Sequence, residues 1–82
     1  MSNVIIYATD WCPYCRALLA GLDVAGADYD VVDVEQDEAA AEWVKSVNGG
    51  NRVVPTVKYS DGTHATNPPA AEVRAKLAEL ES

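Results

Sequence analysis

The feature that most constrains this chain is a pair of cysteines, Cys12 and Cys15, three positions apart in a sequence with no other cysteine. The apolar run of residues 3–8 predicts a buried strand just before them, and Pro13 is typical of the first turn of a helix. Cys12 is then expected to cap that helix, with Cys15 one turn further along the same side, close enough for a disulfide. Two thiols at a strand-to-helix junction indicate a redox motif.

A structural role for these thiols is disfavoured by their number and spacing. A structural zinc site takes four Cys or His ligands, and His64 is the only other candidate. A disulfide across so short a loop stabilises a fold by only about 2 kcal/mol, against about 4.7 kcal/mol for a 100-residue loop. Two alternatives to redox chemistry stay open: a pair of small buried apolar side chains, or a metal-only role as a copper carrier or in a cluster bridged between two chains.

The two thiols are expected to differ in role. Free N–H groups and the dipole at a helix start favour an anion, so Cys12 is predicted to be the nucleophilic thiolate. A stabilised thiolate is more abundant but less nucleophilic, so its remaining advantage is as a leaving group from a mixed disulfide. Cys15 is expected to be the less exposed, resolving thiol. This balance favours exchange with a small thiol.

The rest of the sequence predicts a single domain over residues 1–82, because no linker, repeat or low-complexity segment divides it. Residues 28–34, rich in Val and Tyr, predict a second strand. A second helix is indicated by apolar residues at helical spacing: Ala40, Trp43, Val44 and Val47. Residues 53–60 predict a third strand, although Pro55 belongs at a strand's start because it cannot donate to a ladder.

The last third of the chain predicts a hairpin and a helix. The Asp61-Gly62 turn is typical of a hairpin. Asn67 is expected to cap a last helix that two prolines open. A helix between the first two strands requires them to be parallel, with a right-handed crossover. The predicted fold is therefore α/β, in the order β-α-β-α-β-β-α, with a four-stranded mixed sheet and helices on both faces.

Pro55 is the second element of the predicted site. In a sheet of this kind, a proline opening the strand opposite the cysteines places the backbone of Val54 beside Cys12. A cis Val54-Pro55 bond would fix those backbone groups to pair with a peptide-like ligand, and we expect it here because of the cysteine motif. An ordinary trans proline at a sheet edge is the alternative.

These motifs resemble those of a known family. Residues 9–15, Thr-Asp-Trp-Cys-Pro-Tyr-Cys, followed by Val54-Pro55, resemble the glutaredoxin branch of the thioredoxin fold across essentially the whole chain. Residues 46–57 and 66–68 are similar to those of mycoredoxins, the glutaredoxin-like enzymes of bacteria that use mycothiol instead of glutathione. The chain lacks the Gly-Gly-acidic segment with which ordinary glutaredoxins grip the γ-glutamyl end of glutathione. Mycothiol has no γ-glutamyl group, and neutral residues at 66 and 67 suit its hydroxyls and amides.

The resemblance implies a thiol-disulfide oxidoreductase in which Cys12 takes mycothiol from S-mycothiolated proteins by a monothiol route. A second mycothiol, the reducing co-substrate, would release Cys12, and an NADPH-dependent mycothiol disulfide reductase would recycle the product. No bound cofactor or metal is implied. The implied site has Cys12 and Cys15 as catalytic residues, with substrate contacts from Trp11, Pro13, Tyr14, Arg52, Val54, Pro55, Thr66 and Asn67.

Two questions stay open in the sequence. Arg16 either stabilises the Cys12 thiolate or is a solvated helix cation. The rival within the fold is a dithiol protein-disulfide reductase of the NrdH-redoxin type, fed by thioredoxin reductase. Such proteins usually carry a Trp-Ser-Gly-Phe-Arg-Pro segment, whereas this chain contains no Phe.

The charge balance removes other classes of partner. Six Lys and Arg face thirteen Asp and Glu, a formal net charge of −7, which argues against nucleic acid and against an anionic membrane surface. The apolar run of residues 4–8 is too short for a spanning helix or a signal peptide. A reducing cytoplasm is therefore the expected compartment. Separately, we expect a monomer.

Overall fold

A four-stranded sheet in the order β2-β1-β3-β4 forms the centre of the computed structural model, which describes residues 2–81. Strand β1 pairs parallel with β2 and antiparallel with β3, and β3 pairs antiparallel with β4. The predicted element order and mixed sheet are confirmed. The elements are β1 (Val4–Ala8), α1 (Pro13–Val24), β2 (Asp30–Asp33), α2 (Glu38–Val47), β3 (Thr56–Tyr59), β4 (His64–Thr66) and α3 (Ala70–Glu81).

Alternation along β1 assigns the helices to the two faces of the sheet. Successive strand side chains point to opposite faces, and Ile6 and Tyr7 accordingly belong to different buried clusters. The cluster around Ile6 includes Leu22 of α1 and Val73 of α3, whereas the cluster around Tyr7 includes Val44 of α2. Helices α1 and α3 thus cover one face and α2 covers the other, as predicted.

The helices are short and have identifiable starts. Helices α1 and α3 have 12 residues each and α2 has 10. The carboxylate of Asp37 caps α2 by accepting the N–H of Ala40 at 3.0 Å. A membrane-spanning helix needs about 20 apolar residues, and no helix within residues 2–81 is long and apolar enough to cross a membrane.

The prediction that Asn67 caps the last helix is wrong. Helix α3 begins at Ala70, and the carbonyl of Pro69 accepts the first N–H groups, those of Glu72 at 3.0 Å and Val73 at 3.3 Å. Asn67 lies outside the helix with a positive φ of 49°. Each proline disfavours helical geometry in the residue before it, so Asn67 and Pro68 are both kept out of the helix.

Helices α1 and α3 approach each other most closely at Gly21. A Cβ atom built at this position would lie 2.6 Å from the Cβ of Ala70, the first residue of α3. Two non-bonded carbons do not come so close, because contact is optimal at about 3.5–4.0 Å. Gly21 therefore lets α3 begin directly against α1.

We predict that Gly21→Ala lowers the free energy of unfolding by up to about 2 kcal/mol. Helix propensity alone would raise it by about 1 kcal/mol, but overpacking typically costs about 1–3 kcal/mol and forces α3 away. Urea denaturation of both proteins measures the difference. The double variant Gly21→Ala/Ala70→Gly removes the carbon–carbon overlap and should recover most of the loss. An equal loss in the double variant would contradict the close approach.

Candidate functional site

Cys12 occupies the junction where β1 ends and α1 begins. It is the N-cap residue of α1, with extended backbone angles (φ −80°, ψ 116°), and Pro13 is the first helical residue. Its carbonyl accepts the N–H of Arg16 at 3.1 Å, and its Sγ accepts the N–H of Cys15 at 3.4 Å. The predicted cap is confirmed. The sulfur thereby has an amide donor for any state in which it carries negative charge.

The segment before β3 brings a backbone carbonyl to the same sulfur. The Val54-Pro55 peptide bond is cis, as predicted. The thiol of Cys12 donates to the carbonyl oxygen of Val54, with the sulfur 3.7 Å from the oxygen. The carbonyl of Pro55 accepts the N–H of Asn67 at 2.7 Å. These bonds place Cys12, the cis-proline segment and the approach to α3 side by side.

Asn48, at the end of α2, joins this segment to its neighbours. Its Nδ2 donates to the carbonyl of Val44 at 2.8 Å and to Oγ1 of Thr56 at 3.2 Å. Its Oδ1 accepts the hydroxyl of Thr66 at 2.6 Å, while the Thr56 hydroxyl donates to the carbonyl of Val53 at 2.8 Å. The sequence pattern gives no sign of the contacts of Asn48 with Thr56 and Thr66, because these partners lie on other elements of the fold. Its side chain also positions the segment that carries Val54 and Pro55.

Burial separates the two thiols. Both are free, with Cys12 4% exposed and Cys15 1% exposed, so the expectation that Cys15 is the less accessible is confirmed by a narrow margin. Burial first, and then hydrogen bonding to Cys12, raise the pKa of the Cys15 thiol to about 11 against a weaker opposing effect from the backbone of Thr9. Cys15 is therefore protonated at neutral pH.

An open groove lies between the start of α1 and the segment leading into α3. Its volume is about 360 Å³, and its lining contains no charged side chain: Tyr14, Ala17, Leu18, Asn67, Pro68, Pro69 and Ala70. Tyr14 is 67% exposed. The structure thus brings two of the predicted substrate residues, Tyr14 and Asn67, to one groove near Cys12. We call this surface the Tyr14 groove.

Trp11 and Arg16 lie elsewhere around the cysteine pair. Trp11 is 62% exposed, and its Nε1 donates to Oε1 of Glu35 at 3.2 Å, toward the loop between β2 and α2. The guanidinium of Arg16 donates twice to the carbonyl of Asp10, at 3.2 and 3.1 Å. Arg16 thus braces the loop before Cys12, a role that neither of the two sequence interpretations contained.

Two further predicted substrate residues lie outside the Tyr14 groove. Arg52 is exposed on the segment that leads to Val54. Thr66 is exposed, but its hydroxyl hydrogen is given to Asn48, so it can offer a ligand only an acceptor. The substrate contacts predicted for these two residues stay predictions, and the bond from Thr66 to Asn48 was not expected from the sequence.

His64 lies on the exposed side of β4, where its ring stands edge-on to Trp43 with centroids 6.0 Å apart. Within the described part of the chain, no three His, Cys, Asp or Glu side chains come together as a metal-binding group. His64 is accordingly an aromatic packing partner of α2 in this fold.

Comparison with known proteins finds relatives named as glutaredoxins or mycoredoxins. Residues 4–65 match the family model of glutaredoxins. Mycoredoxin 1 of Corynebacterium glutamicum is 75% identical over 80 residues, which is 98% of this chain and 99% of that protein. A putative glutaredoxin of Mycobacterium tuberculosis is 56% identical over 75 residues, covering 92% of this chain and 89% of the relative.

Solved structures share the fold. A glutaredoxin from Methanosarcina mazei superposes with a TM-score of 0.75 at 27% identity, covering 93% of this chain and 78% of that one. The glutaredoxin-like NrdH-redoxin of Escherichia coli gives a TM-score of 0.70 at 25% identity, covering 87% and 91%. The predicted thioredoxin/glutaredoxin fold is confirmed.

We predict that Cys15 in a Cys12→Ser variant shows no titration midpoint below about pH 10. Burial is the largest cause of its raised pKa, so losing Cys12 removes only the smaller contributions. The ¹³Cβ chemical shift of Cys15, followed with pH, measures this. The same variant unfolded in urea is the control and should titrate near the ordinary value of 9.0. A folded-state midpoint equal to that control would contradict the burial argument.

Proposed function

We propose, because the chain belongs to the glutaredoxin family of thiol-disulfide oxidoreductases, that it removes mycothiol from mixed disulfides with protein thiols. The observation that carries this proposal is the 75% identity to a protein named mycoredoxin 1 across nearly the full length of both chains. The uncharged Tyr14 groove supports it, because a sugar ligand offers hydroxyls and amides and needs no countercharge. The reducing reaction suits the cytoplasm, where thiols are kept reduced.

In the proposed cycle Cys12 is the nucleophile. Its thiolate attacks the mycothiol sulfur of the mixed disulfide, the protein thiolate leaves and takes a proton, and Cys12 now carries mycothiol. The thiolate of a second mycothiol then attacks that mycothiol sulfur and releases Cys12. The product is mycothiol disulfide, which a separate NADPH-dependent reductase would return to two thiols. Cys15 is not required on this route.

The contacts around Cys12 support that role. The Cys15 N–H, 3.4 Å from the sulfur, can stabilise the Cys12 anion when it is released. The Val54 carbonyl accepts the Cys12 thiol in the reduced protein and is freed once that sulfur enters a disulfide. The amide N–H of the acetylated cysteine of mycothiol can then take this acceptor, as a peptide-like ligand would.

We assign the glucosamine-inositol end of mycothiol to the Tyr14 groove. Its volume of about 360 Å³ falls within the usual range for small-molecule pockets, and Tyr14 and Asn67 supply polar groups among apolar walls. Asn67 is fixed there through its N–H bond to Pro55. Trp11, on the other side of Cys12, is available to the protein half of the substrate. Arg52 and Thr66 remain candidates for the outer part of the site.

We predict that Cys12→Ser abolishes demycothiolation, whereas Cys15→Ser keeps it. Only Cys12 carries mycothiol in the proposed route, and serine is too weak a nucleophile to replace it. Turnover is measured with an S-mycothiolated protein, mycothiol, mycothiol disulfide reductase and NADPH. A parallel assay replaces the mycothiol components with thioredoxin reductase. Equal loss in both variants, or turnover only with thioredoxin reductase, would favour the dithiol reductase instead.

We predict further that Cys12 prefers oxidised mycothiol over oxidised glutathione, and that Asn67→Gly weakens this preference about two- to thirteenfold. Losing one hydrogen bond costs about 0.5–1.5 kcal/mol, and glycine tolerates the positive φ at this position. Mass spectrometry of Cys12 adducts after exposure to both disulfides in competition measures the ratio. Hydroxyethyl disulfide, which lacks a sugar, is the control and should react equally with both proteins. A wild-type preference for glutathione would refute the mycothiol assignment.

A further inference from the structure

Cys15 also borders a second cavity, on the side of α1 away from the Tyr14 groove. This cavity has a volume of about 160 Å³ and lies between Cys15, Thr9 and Asp33, with apolar walls from Ala8, Leu19 and Val31. A space of this size holds several water molecules if polar groups line it. It therefore connects a buried thiol to a carboxylate at the end of β2.

The hydroxyl of Thr9 is the polar group that needs such water. Thr9 is 5% exposed, and within residues 2–81 its Oγ1 is buried with no hydrogen-bond partner. Leaving a buried hydroxyl unpaired costs about 1–3 kcal/mol. Thr9 is one of the residues that line the cavity, so water held there is a source of the missing partner. The backbone of Thr9 also hydrogen-bonds to Cys15, and this bond lowers the pKa of the thiol against the larger effect of burial. Thr9 and Cys15 thus both line the cavity.

Asp33 provides the carboxylate. It is the last residue of β2 and is half-buried. Its Oδ1 accepts the N–H of Glu35 at 2.8 Å, which fixes one oxygen of the carboxylate, and Asp33 is among the residues that line the cavity. A carboxylate has about four lone-pair sites, so this one bond leaves it able to accept a proton.

We propose that this cavity is the proton exit of Cys15, in which water carries the thiol proton past the Thr9 hydroxyl to the carboxylate of Asp33. The step is the closure of the internal disulfide. Cys15 attacks the Cys12 sulfur of a mixed disulfide, the Cys12–Cys15 bond forms, and the substrate thiolate leaves and takes a proton from solvent. The proton of Cys15 passes to Asp33 and then to water. The proposal rests on Cys15 as resolving thiol and applies whichever small thiol is carried.

The need for such an exit follows from the burial of Cys15. Burial, the largest cause of the raised pKa of Cys15, keeps this thiol protonated at pH 7. Cys12 is then bound in the mixed disulfide, and Arg16 at the cavity edge is a cation, so neither accepts a proton. Among the buried residues of the hydrophobic cluster that contains Cys15, Tyr59 is the titratable side chain besides the two cysteines, and burial raises its pKa to about 12. The remaining carboxylate at the cavity is that of Asp10, which is exposed.

The test is Asp33→Asn in the full-length protein, because asparagine keeps the shape and the Oδ1 acceptor for Glu35 but takes up no proton. Reduced protein is mixed with hydroxyethyl disulfide, quenched in acid at intervals, and analysed by mass spectrometry. This resolves formation of the Cys12 mixed disulfide from closure to the internal disulfide. We expect closure at pH 7 to slow by roughly a hundredfold, the lower range for general-base catalysis, so that mixed disulfide accumulates.

The pH profile separates a proton route from a structural effect. As pH rises toward about 10, hydroxide replaces the carboxylate as base, so the gap between Asp33→Asn and wild type should narrow. Asp33→Glu should restore part of the rate at pH 7. A gap that stays constant with pH, or no gap at all, would overturn the proposal.

Two matched variants complete the experiment. Asp10→Asn alters the other carboxylate at this cavity and should leave closure unchanged, whereas slowing by Asp10→Asn alone would overturn the assignment to Asp33. Thr9→Val keeps the shape and removes the hydroxyl, and it should slow closure in the same direction. Because hydroxyethyl disulfide contains no mycothiol, this outcome is independent of whether mycothiol is the substrate.

Discussion

The chemistry of this chain depends on how α1 satisfies its first N–H groups. Every helix start leaves such groups without intrahelical partners, and most helices cover them with an oxygen of Ser, Thr, Asp or Asn. Here the sulfur of Cys12 takes that place by accepting the N–H of Cys15. The same bond that completes the helix therefore gives the sulfur a donor during exchange. Packing of Leu18 and Leu22 on β1 holds the helix start in place.

The different positions of the two thiols along α1 are enough to give them different contacts and different burial. Cys12 lies at the start of α1 and its thiol donates to the Val54 carbonyl, a contact that a ligand amide would replace under the proposed function. Cys15, one turn further in, belongs to the buried cluster of β1 and α1, and burial holds its proton. A thiol that is kept protonated is a poor competitor for a mixed disulfide. Under the proposed function, this leaves time for a second small thiol to reach Cys12 before Cys15 does.

Local patterns in the sequence were sufficient for the fold and the cysteine motif. The apolar β1, Pro13 at a helix start and the Asp61-Gly62 turn each depend on neighbours in the sequence, and each prediction is confirmed. Long-range partners could not be read in this way. Asn48 reaches Thr56 and Thr66 only because three elements converge, and Arg16 reaches back to the carbonyl of Asp10.

Asn67 is predicted from the sequence to contact the substrate and to cap the last helix, and the structure contradicts the second of these predictions. A capping preference is statistical, whereas the two following prolines and the bond from its N–H to Pro55 fix its actual conformation. Asn67 lies outside the helix and lines the Tyr14 groove, which contains no charged side chain. A γ-glutamyl group would bring an ammonium and a carboxylate, and desolvating charges without partners is costly. Under the proposed function, the Tyr14 groove would select mycothiol chiefly by binding glutathione poorly. It offers no countercharge to the charged groups of glutathione, and specificity of this kind comes from rejecting the competing ligand.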